Sequence, residues 1–275
     1  MYHTHSPRCA RCIGAAARRR RGNARRAFRS ARRDHGAEVF VKLEPLQHTG
    51  AFKFRGAYNC PSRLNRSTCP DGVVAYSTGN PGQAIATVGR MLDVPTTVVM
   101  PSNAPGNRVE KARKAGARIV RYDRERQRRE EVAAQLARER QYAVVPPGDH
   151  HHVIAGQATV AFETLERFGT DAFDAIVVPC GGGLSAGMCL AVVAAQSKAQ
   201  VWAAEPSDFD DTRRSLASGQ RETNPAGRMS ICVRCSRRSR RSCRSQSTDR
   251  VSRACSPPTM PPCAARWHSA SRCSA

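Results

Sequence analysis

The chain has 275 residues, a formal net charge of +23 and twelve cysteines, long enough for one large or two smaller domains with a real core. It contains no apolar run of about 18 residues, which excludes a membrane-spanning helix pattern, and its start lacks the apolar stretch of a secretory leader. The charge is uneven: residues 1–35 hold eleven Arg and one acid, residues 233–275 hold ten Arg, ten Ser, five Cys and one acid, and these ends carry nineteen of the net +23.

The 197 residues between them carry 24 basic and 20 acidic groups, the balance of an ordinary folded body. A large positive charge usually marks a nucleic-acid partner, but here it lies outside the periodic sequence, so neither nucleic-acid nor membrane binding is expected. Arg/Ser/Cys-rich sequence without apolar period cannot bury enough surface to offset its ordering entropy. Residues 1–35 and 233–275 are therefore expected to be disordered basic tails. Cys9 and Cys12, and Cys232 and Cys235, have the spacing of zinc pairs but lack the flanking ribbon pattern, and read as chance spacing. Free thiols in a reducing cytoplasm are the default.

From Glu38 onward, short β-branched runs alternate with amphipathic stretches, the pattern of βα units on a mostly parallel sheet. Strands are predicted over Val39–Leu43, Val73–Tyr76, Thr96–Met100, Arg118–Arg121, Ala143–Val145, Ala175–Val178 and Gln200–Ala204. Helices are predicted over Phe54–Arg63, Gln83–Leu92, Arg108–Ala115, Arg124–Gln141, Ile154–Phe168, Leu184–Gln196 and Asp211–Ser218. Pro101, Pro105, Gly116, Pro146 and Gly148 punctuate them.

Four strand-to-helix junctions carry candidate chemistry. In Ala51-Phe52-Lys53-Phe54, apolar neighbours favour a neutral lysine amine, which Schiff-base formation with an aldehyde needs; local physics alone favours a solvated lysine at a helix start. Ser77-Thr78-Gly79-Asn80-Pro81 offers N–H groups and hydroxyls to an anion, and equally reads as a plain helix start. Cys180-Gly181-Gly182-Gly183-Leu184 is a glycine turn that can close around a phosphate, weak evidence by itself. Glu205, Asp211 and the carbonyl of Phe209 suit Mg²⁺ or Ca²⁺, against the alternative of an acidic loop. His150-His151-His152 is read as an extended loop, since three adjacent imidazoles in such a segment cannot converge on one ion.

Taken in order, these motifs resemble the fold-type II pyridoxal-phosphate enzymes of the serine/threonine dehydratase family, near its serine racemase and hydroxyaspartate dehydratase branch. The resemblance covers about Glu38 to Asn224. It implies an α/β fold with two domains and parallel twisted sheets: a large one from residues 36–71 and 151–232, and a small one from residues 72–150. The family's large domain continues further, so its C-terminal part is expected to be missing, with the ends reading as out-of-frame sequence.

The resemblance implies that Lys53 carries pyridoxal 5′-phosphate, that Phe52, Asn80, Gly181, Gly182, Gly183 and Leu184 bind it, and that Ser77, Thr78, Gly79 and Asn80 hold the substrate. It makes Lys53 and Thr78 the catalytic pair, and Glu205, Phe209 and Asp211 the ligands of a divalent cation. The implied reaction converts threonine or serine to a 2-oxo acid and ammonia in a homodimeric enzyme, with serine racemase or hydroxyaspartate dehydratase as alternatives. A further alternative is an inactive remnant with basic tails. Three departures stand out: Ala51 replaces the usual Ser, Pro81 the usual His, and the glycine turn has three glycines rather than four. Tyr122-Asp123-Arg124 with Arg129-Glu130 resembles the same branch and is read as packing.

Overall fold

The computed structural model describes residues 28–32, 38–180, 182–220 and 222–224. Eight strands and seven α-helices alternate along them. The strands are β1 (Phe28–Arg32), β2 (Glu38–Lys42), β3 (Gly72–Tyr76), β4 (Thr96–Pro101), β5 (Arg118–Tyr122), β6 (Tyr142–Val145), β7 (Ala175–Pro179) and β8 (Gln200–Ala204). The helices are α1 (Lys53–Asn59), α2 (Asn80–Leu92), α3 (Gly106–Lys114), α4 (Arg129–Glu139), α5 (His151–Phe168), α6 (Gly183–Ala194) and α7 (Asp211–Ser218).

β3 to β6 form one parallel sheet in the order β5-β4-β3-β6, and β7 and β8 form a parallel pair. The expected α/β class with parallel sheets is thus what the chain adopts. The fully buried strands β3 and β4 put alternate residues into different cores, as the period of two requires. Val73, Ala75, Val98 and Met100 meet α1, α2 and α3, while Val74, Tyr76 and Val99 meet Tyr122 and Ala133 of α4. A separate core joins α5 and α6 to β7 through Ala158, Ala161, Val178, Met188 and Ala191.

Several boundaries differ from expectation. β1 lies in the basic segment predicted to be disordered and pairs antiparallel with β2, Phe28 opposite Lys42. A backbone ladder uses N–H and C=O groups whatever the composition, so the Arg-rich sequence hid it. The zinc-like cysteine pairs, the tail from residue 233 and the rest of the basic start lie outside the described residues.

α1 stops at Asn59 and passes into a single turn over Pro61–Arg63, because proline lacks the amide that would continue the helix. α2 begins three residues early, at Asn80, with Pro81 in the first turn, where no donor is needed. α4 begins five residues later than predicted, since the Asp123 side chain takes the Glu125 amide at 2.8 Å in a turn of its own. The histidine triplet is the start of α5 and not an extended loop. His150 caps the helix by accepting from the His152 amide at 3.2 Å, and His151 and His152 are its first residues.

α5 lies directly against α1 and α6. At Gly156 an added Cβ would stand 2.6 Å from both the Arg55 carbonyl oxygen and the Gly56 Cα, so glycine is required there for the two backbones to touch. Gly156→Ala is therefore expected to separate α1 from α5 and lower stability by roughly 2–3 kcal/mol. Gly106→Ala, where nothing lies within 4 Å, should be near neutral, and paired thermal melts read both.

Burial, reinforced by the charges of His151 and His152, pulls the His150 imidazole from 6.5 down to about 4. A depressed folded-state value means that stability is full above pH 6.5 and is lost as pH falls towards 4, because the unfolded chain takes up the proton first. Discounted for the partial exposure of the ring, the loss should be roughly 1–2 kcal/mol. His150→Asn keeps a capping acceptor and should flatten that slope in denaturant titrations between these pH values; an unchanged slope would place the titration elsewhere.

Candidate functional site

Lys53 is the first residue of α1 and is 9% exposed. Its Nζ donates to the Pro147 carbonyl at 2.9 Å and lies 4.8 Å from the centre of the Phe52 ring. It forms one wall of a cleft of about 310 Å³, open mouth included, shared with Ser77, Tyr76, Pro81, Pro146, Pro147, Val153 and Gln157. Lys53 and the turn after β3, predicted from separate motifs, thus meet in one place. Phe52 is half-buried and packs on the α5–α6 core.

In that turn Ser77 is buried, its Oγ accepting from the Gly79 amide at 3.2 Å, and its carbonyl lies where a Cβ on Gly82 would come within 2.4 Å. Thr78 is half-buried, and its carbonyl accepts from Arg108 at 3.4 Å. Gly79 holds the N-cap position of α2 without a side-chain cap, and Asn80 begins the helix exposed. The N-terminal end of a 13-residue helix and its dipole therefore open beside Lys53.

Gly182 takes a left-handed φ of 95° at the N-cap position of α6, again without a side-chain cap. A Cβ on Gly183 would come within 2.5 Å of the Gly148 carbonyl oxygen, next in the chain to the carbonyl that holds Lys53. The glycine turn and Lys53 are thus joined through Pro147-Gly148. Leu184 packs into the α5–α6 core, and Gly181 lies outside the described residues. A buried amine at a cleft and an uncapped helix N-terminus approached by glycines fit an aldehyde and a phosphate on one small cofactor.

The acidic segment stands apart from this cleft. Asp211 is 2% exposed and opens α7, its Oδ1 accepting from Asn224 at 3.0 Å, and Glu205 accepts from the Arg213 amide at 3.2 Å. Phe209 is buried at the end of a single turn, Ser207–Phe209. Among the described residues, no three or more His, Cys, Asp or Glu side chains gather as a metal cluster. The pattern around Tyr122 and Arg129 is packing: Tyr122 is in the core with Tyr76, and Arg129 lies 5.5 Å over the Tyr76 ring and pairs with Glu130 at 2.8 Å.

Pro147 and Gln157 carry no expectation from the sequence, and Gly148 only that of a turn former. No motif flags a carbonyl acceptor or a glycine after a proline pair. Gln157 shares a helix face with Val153, three to four residues apart, a spacing that could have drawn attention to it.

The sequence matches the family described as "Pyridoxal-phosphate dependent enzyme" over residues 25–245. It is 44% identical over 185 residues to the L-threo-3-hydroxyaspartate ammonia-lyase of Saccharomyces cerevisiae, covering 67% of this chain and 56% of that protein. It is 39% identical to the serine racemase of Schizosaccharomyces pombe, covering 66% of this chain and 56% of that one. The structure of maize serine racemase superposes with a TM-score of 0.72 at 32% identity, over 79% of this chain and 66% of that one. The chain therefore spans little more than half the length of these curated relatives. With a matched region that takes in Lys53, both helix-start turns and the sheets that position them, the chain belongs to the pyridoxal-phosphate dependent enzyme family.

Proposed function

We propose that this chain acts as a pyridoxal-phosphate ammonia-lyase on small 3-hydroxy amino acids, with threonine, serine and 3-hydroxyaspartate as the candidate substrates. The observation that carries the reading is the Lys53 amine, 2.9 Å from the Pro147 carbonyl, in a cleft it shares with Ser77. The hydroxyaspartate ammonia-lyase and serine racemase relatives support the substrate class.

Bound through Lys53, the cofactor supplies an electron sink that acidifies the substrate Cα–H bond. The protein's residues do the rest. Lys53 would be the base that takes the Cα proton, with its amine oriented by the Pro147 carbonyl. In this reading the turn Ser77-Thr78-Gly79-Asn80 at the start of α2 holds the substrate carboxylate through backbone N–H groups and hydroxyls, and the Asn80 side chain bonds the cofactor's ring oxygen. The turn Gly181–Leu184 holds the phosphate at the start of α6, and Phe52 flanks the lysine. In the same reading Thr78 serves the substrate on the face opposite Lys53. The hydroxyl would leave as water with the proton that Lys53 took from Cα, and hydrolysis of the resulting enamine would release the 2-oxo acid and ammonia. A small domain over residues 72–150 closing on a large one over 36–71 and 151–232 is part of this reading, as is the homodimer.

Borohydride reduction of the cofactor-loaded chain followed by peptide mapping should place the label on Lys53. Label on Lys42 or Lys111 would overturn the assignment. Lys53→Ala should lower ammonia release from the preferred substrate by several orders of magnitude.

Glu205, Asp211 and the Phe209 carbonyl are, in the same proposal, the seat of Mg²⁺ or Ca²⁺. A cation bound to the native state alone raises the melting temperature with its concentration. Chelator should lower the melting temperature of the parent and leave Asp211→Ala unmoved; a parent indifferent to chelator has an acidic loop and no site.

A further inference from the structure

Gln157 is 0% exposed, yet neither its Nε2 nor its Oε1 meets a hydrogen-bond partner among the described residues. It lies in the wall of the cleft that holds Lys53. Leaving a buried polar group unpaired costs about 1–3 kcal/mol, and an amide has two such groups to satisfy.

The amide rests in a made berth. Gly56 of α1 presents no side chain to it, and a Cβ there would stand 2.5 Å from Gln157 Nε2 and 2.8 Å from Val153 Cγ1. Residues three apart share a helix face, so Lys53 and Gly56 bring the amine and the berth to the same side of α1. Ala57, Ile85, Val145 and Val153 supply apolar wall around them, making the amide a polar point in a largely apolar lining.

The ligand chemistry follows from what the two atoms need. A methyl group satisfies neither, a carboxylate accepts but cannot donate to Oε1, and an ammonium donates but cannot accept from Nε2. A hydroxyl does both. We infer that Gln157 is a specificity-determining residue that binds the side-chain hydroxyl of a 3-hydroxy amino acid, Nε2 donating to the hydroxyl oxygen and Oε1 accepting its proton. The inference rests on the elimination reading above and names the protein group that recognises the leaving hydroxyl.

Gln157→Met keeps length and approximate volume while removing both unpaired atoms. Replacing unpaired buried polar groups by apolar ones is neutral or stabilising, so the cofactor-loaded full-length variant should melt at or above the parent temperature. Its kcat/KM for L-serine, divided by that for 3-chloro-L-alanine (which loses chloride in place of hydroxide), should fall tenfold to a hundredfold. A variant that melts several degrees lower, or one in which both substrates fall together, would show a purely structural amide and overturn the inference. If the parent eliminates from neither substrate, the elimination reading fails on its own. Gln157 is then judged by the melting shift that L-serine, and not L-alanine, gives the loaded parent. Loss of that shift in Gln157→Met supports hydroxyl binding, and its absence from the parent overturns it.

Discussion

The position of Lys53 depends on the guanidinium of Arg55, two residues along α1 and 5% exposed. Its Nε and one terminal nitrogen donate to the two oxygens of Glu44, both at 2.8 Å. The terminal nitrogens also reach the two oxygens of Glu163 at 2.8 Å each, and one donates to Thr159 at 2.9 Å. Lys42 adds a fourth charged member at 2.8 Å from Glu163. Burial alone would lower the Arg55 value, but the bonds to Glu163 and Glu44 outweigh it and raise it above the ordinary arginine range. Burial likewise raises the Glu163 carboxyl, and Arg55 and Lys42 outweigh it, holding it down at about 2.

Such a network is not a large source of net stability, because desolvation offsets much of the Coulomb gain. Its value here is geometric. A planar fork bonded on both sides fixes the roll of α1 between the end of β2 and the side of α5, and the roll of α1 decides where Lys53 points. The glycine contact at Gly156 sets the distance between the same two helices. Charge fixes orientation and small side chains fix spacing, and the cleft is what remains between them.

Much of this was legible in the sequence. Alternating β-branched and amphipathic stretches located every strand from β2 to β8, because buried parallel strands such as Val73-Val74-Ala75-Tyr76 carry their burial on their face. The turns at Ser77 and Gly182 were legible as strand-to-helix junctions from their Gly, Ser and Asn. Lys53 reads locally as a solvated lysine, and only the ordered resemblance to a known family singled out all three as one site. What was not legible depends on distant partners. Arg55 reads as an ordinary helix charge until Glu163 arrives from 108 positions away, and Gln157 reads as a helix polar residue until Gly56 makes room for it. β1 was hidden because its sequence is as Arg-rich as the rest of the basic start, while its pairing with β2 is made by the backbone.

The strand order β5-β4-β3-β6 carries a kinetic consequence. The wall that holds Lys53 is closed by α5, which meets α1 across the whole chain of the intervening four-stranded sheet. β3 pairs with β4 across a single helix, but with β6 only after β4, α3, β5 and α4 have been threaded past. Loop closure over such spans is entropically slow, and contacts of high sequence separation form late. The cleft, which needs α1 against α5, is thus expected to assemble late, and a chain halted before α5 docks to hold a formed sheet and an exposed α1.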